Sequence, residues 1–165
     1  MADEKWDLDD VCRRIEDFLD PLLDLVDFDL DFDLREGGAE DSELIDPDLT
    51  VDFEGEDVEL LLANRGELLL ALEHLTLEAI KIPHDQRYRV IFDANDYRLA
   101  RIEELRMTAE HAAEKVRRTG QPFHFQPMSS RERRILHIAL REVEGVRTLS
   151  EGMAPRRHTV IYPEK

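Results

Sequence analysis

Gln126-Pro-Met-Ser-Ser-Arg-Glu-Arg-Arg-Ile-Leu-His-Ile-Ala-Leu140 holds the most informative spacing in the chain. Ser129 and Glu132 stand three apart, as in a capping box, and open a helix predicted from Ser130 to about Val143. At about 100° per residue, Arg133, Arg134, His137 and Arg141 fall within roughly one quadrant of that helix. Ile135, Leu136, Ala139, Leu140 and Val143 occupy the opposite arc. A cationic stripe backed by an apolar stripe suits a helix that packs on a core and lies along phosphates. On spacing alone, the stripe also reads as a solvated basic face with an incidental histidine. Gly145 ends the helix, and Val146–Ser150 and His158–Tyr162 read as two strands. A short strand, Phe123–Phe125, precedes it.

Towards the N-terminus, Asn95 is the expected N-cap of a long helix reaching about Thr119, with Gly120 as its C′ residue. Tyr88–Ala94 reads as a strand after a turn at Pro83–Gln86. Asp57–Leu62 and Glu67–Ile80 read as two helices separated by Ala63-Asn64-Arg65-Gly66. Such a turn exposes backbone N–H groups at the second helix's start, where they suit a phosphate. Gly66 would admit a sugar-phosphate backbone, and Arg65 adds charge; an ordinary helix–helix turn explains the same residues. Val26–Leu34 alternates apolar and acidic residues, predicting a strand with one buried face, and Leu49–Phe53 predicts its antiparallel partner. The aspartates read as a solvated outer face, because the glycine and glutamate an EF-hand loop requires are not in place. Asp9–Asp24 reads as an amphipathic helix in which Pro21 marks an end or a kink.

Charge is distributed unevenly. Residues 1–56 hold 22 acidic against 4 basic side chains, and the remainder 17 against 18, so the net charge of −17 lies in the first third. The global balance opposes nucleic acid, but an electrostatic footprint is local, and the segment from Gln121 onward is basic. One cysteine, Cys12, excludes a disulfide framework and a cysteine-based zinc site. The first residues carry no signal-peptide pattern, and the longest apolar runs fall far short of the roughly 20 residues of a membrane span, so a cytoplasmic protein without membrane insertion is expected. Phosphate-binding, dinucleotide, metalloprotease and nucleophile-elbow motifs are absent, and the six histidines lack metal-ligand spacing, so no enzyme, cofactor or metal is expected.

The order helix, strand, strand, helix–turn–helix, strand is that of a type II KH domain, and Ala63-Asn64-Arg65-Gly66 resembles its GxxG loop, with Ala63 in place of the first glycine. The run Pro127-Met128…Glu132-Arg133-Arg134-Ile135…His137…Ala139-Leu140, then Val146-Arg147-Thr148-x-Ser150-x-Gly152, then Arg156-Arg157…Val160-Ile161-x-Pro163, resembles an R-three-H (Arg-x-x-x-His) domain. With Tyr88–Asp93, Asn95, Tyr97-Arg98 and Ala112–Gly120, the chain is similar over about residues 9–163 to the Jag (SpoIIIJ-associated) family. Its acidic first third departs from that family, and no separate N-terminal Jag domain is expected within these residues.

The resemblance implies an α+β protein: a type II KH-like domain over 1–96 and an R-three-H domain over 97–165, joined by the long helix. Two small antiparallel sheets are expected. It further implies non-catalytic binding of single-stranded RNA, with single-stranded DNA as a second ligand, linked to cell-envelope or division processes. Arg133 and His137 carry the motif, Arg134, Arg141, Arg156 and Arg157 add basic contacts, and Asn64, Arg65 and Gly66 form the loop site. The alternative is an interaction module whose degenerate KH half forms a homodimer, or a heterodimer with a small KH-domain protein. The acidic loop Arg35–Asp48 is expected to act as a brake on RNA binding or as a solubilising loop.

Overall fold

The computed structural model describes residues 6–38 and 46–164. They form helices α1 (Leu8–Val26), α2 (Val58–Ala79), α3 (Tyr97–Thr119) and α4 (Ser130–Leu140). The strands are β1 (Asp31–Glu36), β2 (Leu49–Glu54), β3 (Val90–Ala94), β4 (Phe123–His124), β5 (Val146–Glu151) and β6 (His158–Pro163). The architecture is α+β. It divides into two compact units, Met1–Arg98 and Leu99–Lys165, and the division falls within the first turn of α3.

In the first unit, Asp7 caps α1 by accepting from the Asp10 N–H, and Val11, Ile15, Leu19 and Leu23 form its buried stripe. Pro21 does not end the helix. It lies on the exposed side of the helix, while Leu19 and Leu23 on either side of it continue the buried stripe. The helix therefore consumes Val26, stops at a left-handed Asp27 (φ 55°), and delays the first strand to Asp31.

From there the alternation holds. Phe32 and Leu34 pair with Phe53 and Val51 on the inner face, and Asp31, Asp33 and Arg35 stand on the outer face. The β1–β2 pairing is antiparallel as expected, but β3 runs parallel to β2, so this sheet is mixed. The physical reason is the connection, since a strand returning through a helical crossover enters in the same direction. The Phe32, Phe53 and Phe92 rings then stack through the core at centroid separations of 5.9 and 5.4 Å.

A buried clamp fixes the exit from this sheet. Arg98 donates from Nη2 to Glu73 Oε2 (2.7 Å) and from Nε to the Phe92 carbonyl (2.9 Å), and Glu73 Oε2 also accepts from Phe92 N–H (2.9 Å). Asp93 Oδ1 accepts from the backbone of Ala94 and Arg98, and burial raises its carboxyl above the usual range. Asn95 does not cap α3. It and Asp96 are both left-handed (φ 51° and 55°), whereas an N-cap is extended, and Asp93 supplies the oxygen at the helix start. The expected third strand also starts late, because Arg87–Arg89 is a 3-10 turn.

In the second unit the strand order is β4-β6-β5, antiparallel throughout. Arg101 of α3 ties α4 through Glu132 Oε1 at 2.9 Å. Gly120, left-handed at φ 66°, closes α3 by donating to the Val116 carbonyl. α4 ends at Leu140, short of Val143, because a turn from Leu140 to Val143 leads into left-handed Gly145.

Candidate nucleic-acid interface

The capping box at the start of α4 is complete. Ser129 Oγ accepts from Glu132 N–H, and Glu132 Oε2 accepts from Ser129 N–H. With Ile135, Leu136 and Leu140 buried, this sets the helix so that Arg133 and His137 turn towards β5. On β5, Thr148 and Ser150 share the face that meets them. His137 Nδ1 lies 2.5 Å from Thr148 Oγ1, and its Nε2 lies 3.0 Å from Ser150 Oγ. Arg133 Nη1 donates to Ser150 Oγ at 3.2 Å, and Nη2 donates to Ser130 Oγ at 2.7 Å. Ser150 thus holds both motif residues at once.

The charges follow from this packing. Burial, and then Arg133, lower the His137 pKa below its ordinary value, so the ring is neutral at pH 7. His137 therefore orients Ser150 and Thr148 and adds no charge to the stripe. Burial, and then Arg157, lower the Arg133 pKa, which places the Arg157 cation within electrostatic reach of Arg133. The buried Nε of Arg133 has no hydrogen-bond partner. Among the described residues no carboxylate forms an ion pair with Arg133, Arg134, Arg156 or Arg157, although Arg101 and Arg141 both have carboxylate partners.

Arg156 and Arg157 are exposed in the loop between β5 and β6, where Arg157 O accepts from Met128 N–H and Arg156 N–H donates to Met153 O. Arg134 is exposed on α4. Arg141 lies past the last helical residue as the C-cap and pairs with Glu142 at 3.2 Å. Arg133 and His137 thus share Ser150, and Arg157 lies within electrostatic reach of Arg133. Ser130, Thr148 and Ser150 are the site residues that sequence reasoning missed, and their signal was the two-residue spacing of Thr148 and Ser150 on a strand following the motif helix.

The loop residues belong to the other unit. Within α2 the backbone leaves helical geometry at Ala63, and Asn64, Arg65 and Gly66 are all left-handed (φ 51°, 64° and 71°). Two helices joined by a turn are what the sequence predicts there. Asn64 and Arg65 are exposed, but Gly66 is buried, and a Cβ there would meet the Tyr97 ring at 2.8 Å. The space opened by this glycine is filled by Tyr97, so close backbone approach is left to Ala63–Arg65. Of the acidic loop Arg35–Asp48, Glu40, Asp41 and Glu43 lie outside the described residues. Among the described residues no group of three or more His, Cys, Asp or Glu side chains suits a metal ion, and no helix is long and apolar enough to cross a membrane.

Comparison with known proteins agrees with this arrangement. Residues 103–163 match the family model of the R-three-H domain. The chain is 31% identical over 145 residues to the RNA-binding protein KhpB of Clostridium symbiosum, covering 88% of this chain and 63% of that protein. It is 38% identical over 109 residues to the RNA-binding protein KhpB of Bacillus subtilis (strain 168), covering 65% and 52%. With the KhpB protein of Streptococcus pneumoniae D39 the identity is 31% over 104 residues, covering 63% and 32%. The chain belongs to the Jag family of R-three-H-domain proteins. It spans 63% or less of the length of these relatives. In the Jag frame, the R-three-H match contains Arg133, His137, Ser150, Arg156 and Arg157, while Asn64–Gly66 precede it.

Proposed function

We propose that this chain is a non-catalytic RNA-binding protein whose R-three-H unit, residues 97–165, holds the phosphates of single-stranded RNA. One observation carries the reading. Arg133 is pinned by two serine hydroxyls, keeps a buried Nε without a partner, and has a second cation, Arg157, instead of a carboxylate as its electrostatic neighbour. A guanidinium that feels a second cation and pairs with no acid is stabilised by an anion, and a phosphate oxygen is the acceptor its donors fit. Single-stranded DNA offers the same phosphates.

The first unit, 1–96, fits a KH-like domain in its order of elements and its left-handed turn. With Tyr97 seated on Gly66, its part in RNA binding is the smaller one. The exposed leucines 60, 68 and 75 on α2 (49%, 37% and 51%) favour a second reading for this unit, as a surface for a copy of itself or a small KH-domain protein. Cytoplasmic location and a link to envelope or division processes belong to the same proposal.

Anisotropy titration with unstructured RNA tests it. With about 3 to 5 phosphates engaged, log K falls against log salt with a slope of roughly −2 to −3.5. Arg133→Ala with His137→Ala should weaken binding far more than Asn64→Ala with Arg65→Ala. No binding at about 50 mM salt overturns the RNA reading.

A further inference from the structure

The side of the second sheet that faces away from α4 plays no part in the phosphate site. Thr148 and Ser150 point to α4, so Arg147, Leu149 and Glu151 point the other way. Their register partners on β6 are Tyr162, Val160 and His158, and β4 adds His124 opposite Val160. α3 packs on the α4 side, since the Lys115 ammonium lies 5.7 Å over the ring of Phe123, whose partner Ile161 stands opposite Thr148. Both helices of this unit therefore cover one face, and the other presents Arg147, Leu149 and His124 as exposed side chains.

The open face is built from flat groups. The Arg147 guanidinium lies 4.9 Å over the Tyr162 ring, and the Tyr162 hydroxyl donates to Glu151 Oε1 at 2.5 Å, fixing the ring's long axis. The His124 and His158 rings lie 5.8 Å apart, tilted by 43°. We propose that this face is the base-stacking platform for the RNA whose phosphates Arg133 and Arg157 hold; it rests on the RNA-binding reading above. Unstructured RNA is read by stacking bases on aromatic rings and guanidinium planes, and this face supplies both. Glu151 accepts from the Tyr162 hydroxyl and its charge is balanced by Arg147, so the face suits flat bases and leaves the phosphates to Arg133 and Arg157. Connectivity supports the path. Ser150 bonds Arg133, the next residue Glu151 faces the platform, and Arg156 and Arg157 lie in the loop closing the same hairpin. A strand seated on Arg133 can turn over the hairpin end and lay its bases on the guanidinium of Arg147, which Tyr162 backs, and on the histidines.

The full chain is titrated with a short oligouridylate and with an abasic ribose-phosphate oligomer of equal charge. The unmodified protein should prefer the base-bearing oligomer by about tenfold, within the range of one base–aromatic stack. Tyr162→Leu should lose most of that preference while binding the abasic oligomer unchanged and keeping the salt slope, and Tyr162→Phe should retain it. Should Tyr162→Leu lower the melting temperature, His124→Ala with His158→Ala removes the exposed His124 ring and its half-buried neighbour instead, with the same loss expected. Equal affinity for the two oligomers, or full oligouridylate preference in both ring-deleting variants, overturns the platform while the phosphate site stands. Failure to bind either oligomer removes the RNA-binding reading and the platform with it.

Discussion

Arg133→Lys separates charge from geometry at the phosphate site. The substitution keeps one positive charge at the same place on α4. It removes the fork that reaches Ser150 Oγ at 3.2 Å and Ser130 Oγ at 2.7 Å while leaving a further N–H free. A lysine ammonium on its flexible stem cannot occupy both hydroxyls and still present a fixed donor to a phosphate. The loss is one charge-assisted hydrogen bond, worth about 1.5 to 3 kcal/mol when well made. Because the site is half-open to water, the low end applies, about 1.5 kcal/mol, or roughly tenfold in Kd. The slope of log K against log salt should stay unchanged, since the number of cations is unchanged. Arg133→Ala, by contrast, should flatten that slope by about 0.7. Fluorescence anisotropy across a salt series distinguishes the two. If Arg133→Lys binds RNA as tightly as the parent, charge alone holds the phosphate, and the Ser130 and Ser150 contacts have no part in recognition.

His137 gives a pH signature. Its pKa is lowered on folding, so its contribution is complete above the unfolded value of about 6.5 and is lost as pH falls through the lower folded value. The urea midpoint should therefore drop less between pH 7.5 and pH 5 in His137→Asn than in the parent protein. Gly66→Ala forces a Cβ into the Tyr97 ring at a left-handed position and should cost about 2 kcal/mol in chemical denaturation, with Gly66→Ala/Tyr97→Ala recovering part of it. Arg98→Met removes the guanidinium that pairs with Glu73, both side chains being nearly buried at 12% and 11% exposure, and should cost about 3 kcal/mol by the same measurement.

Local chemistry made much of this molecule legible in its sequence. The capping box located the start of α4, the motif spacing put Arg133 and His137 on one side of it, and the alternation of Phe32, Leu34, Val51 and Phe53 identified the inner face of the first sheet. What escaped depended on partners distant in the chain. The parallel register of β3 is set by a crossover and not by residues within the strand. The neutrality of His137 comes from burial against Thr148 and Ser150, 11 and 13 residues away. Asn95 looks like a cap in isolation, but the backbone turn places Asp93 there. Gly66 reads as an opening for a ligand until Tyr97, remote in sequence, is seen to fill it.

The outer face of the first sheet bears on how copies of this protein keep apart. β1 is an edge strand, and such edges invite a second chain to add its own strand. Here register aligns Asp33, Asp52 and Asp93 across all three strands, with Asp31 and Glu54 beside them. An incoming identical edge would bring its own Asp31 and Asp33 alongside this row. Burial raises the Asp52 and Asp93 carboxyls above their usual range, so these two shed their charge earlier in an acid titration than ordinary surface aspartates do. Mild acid therefore thins the negative charge of this face at Asp52 and Asp93 first.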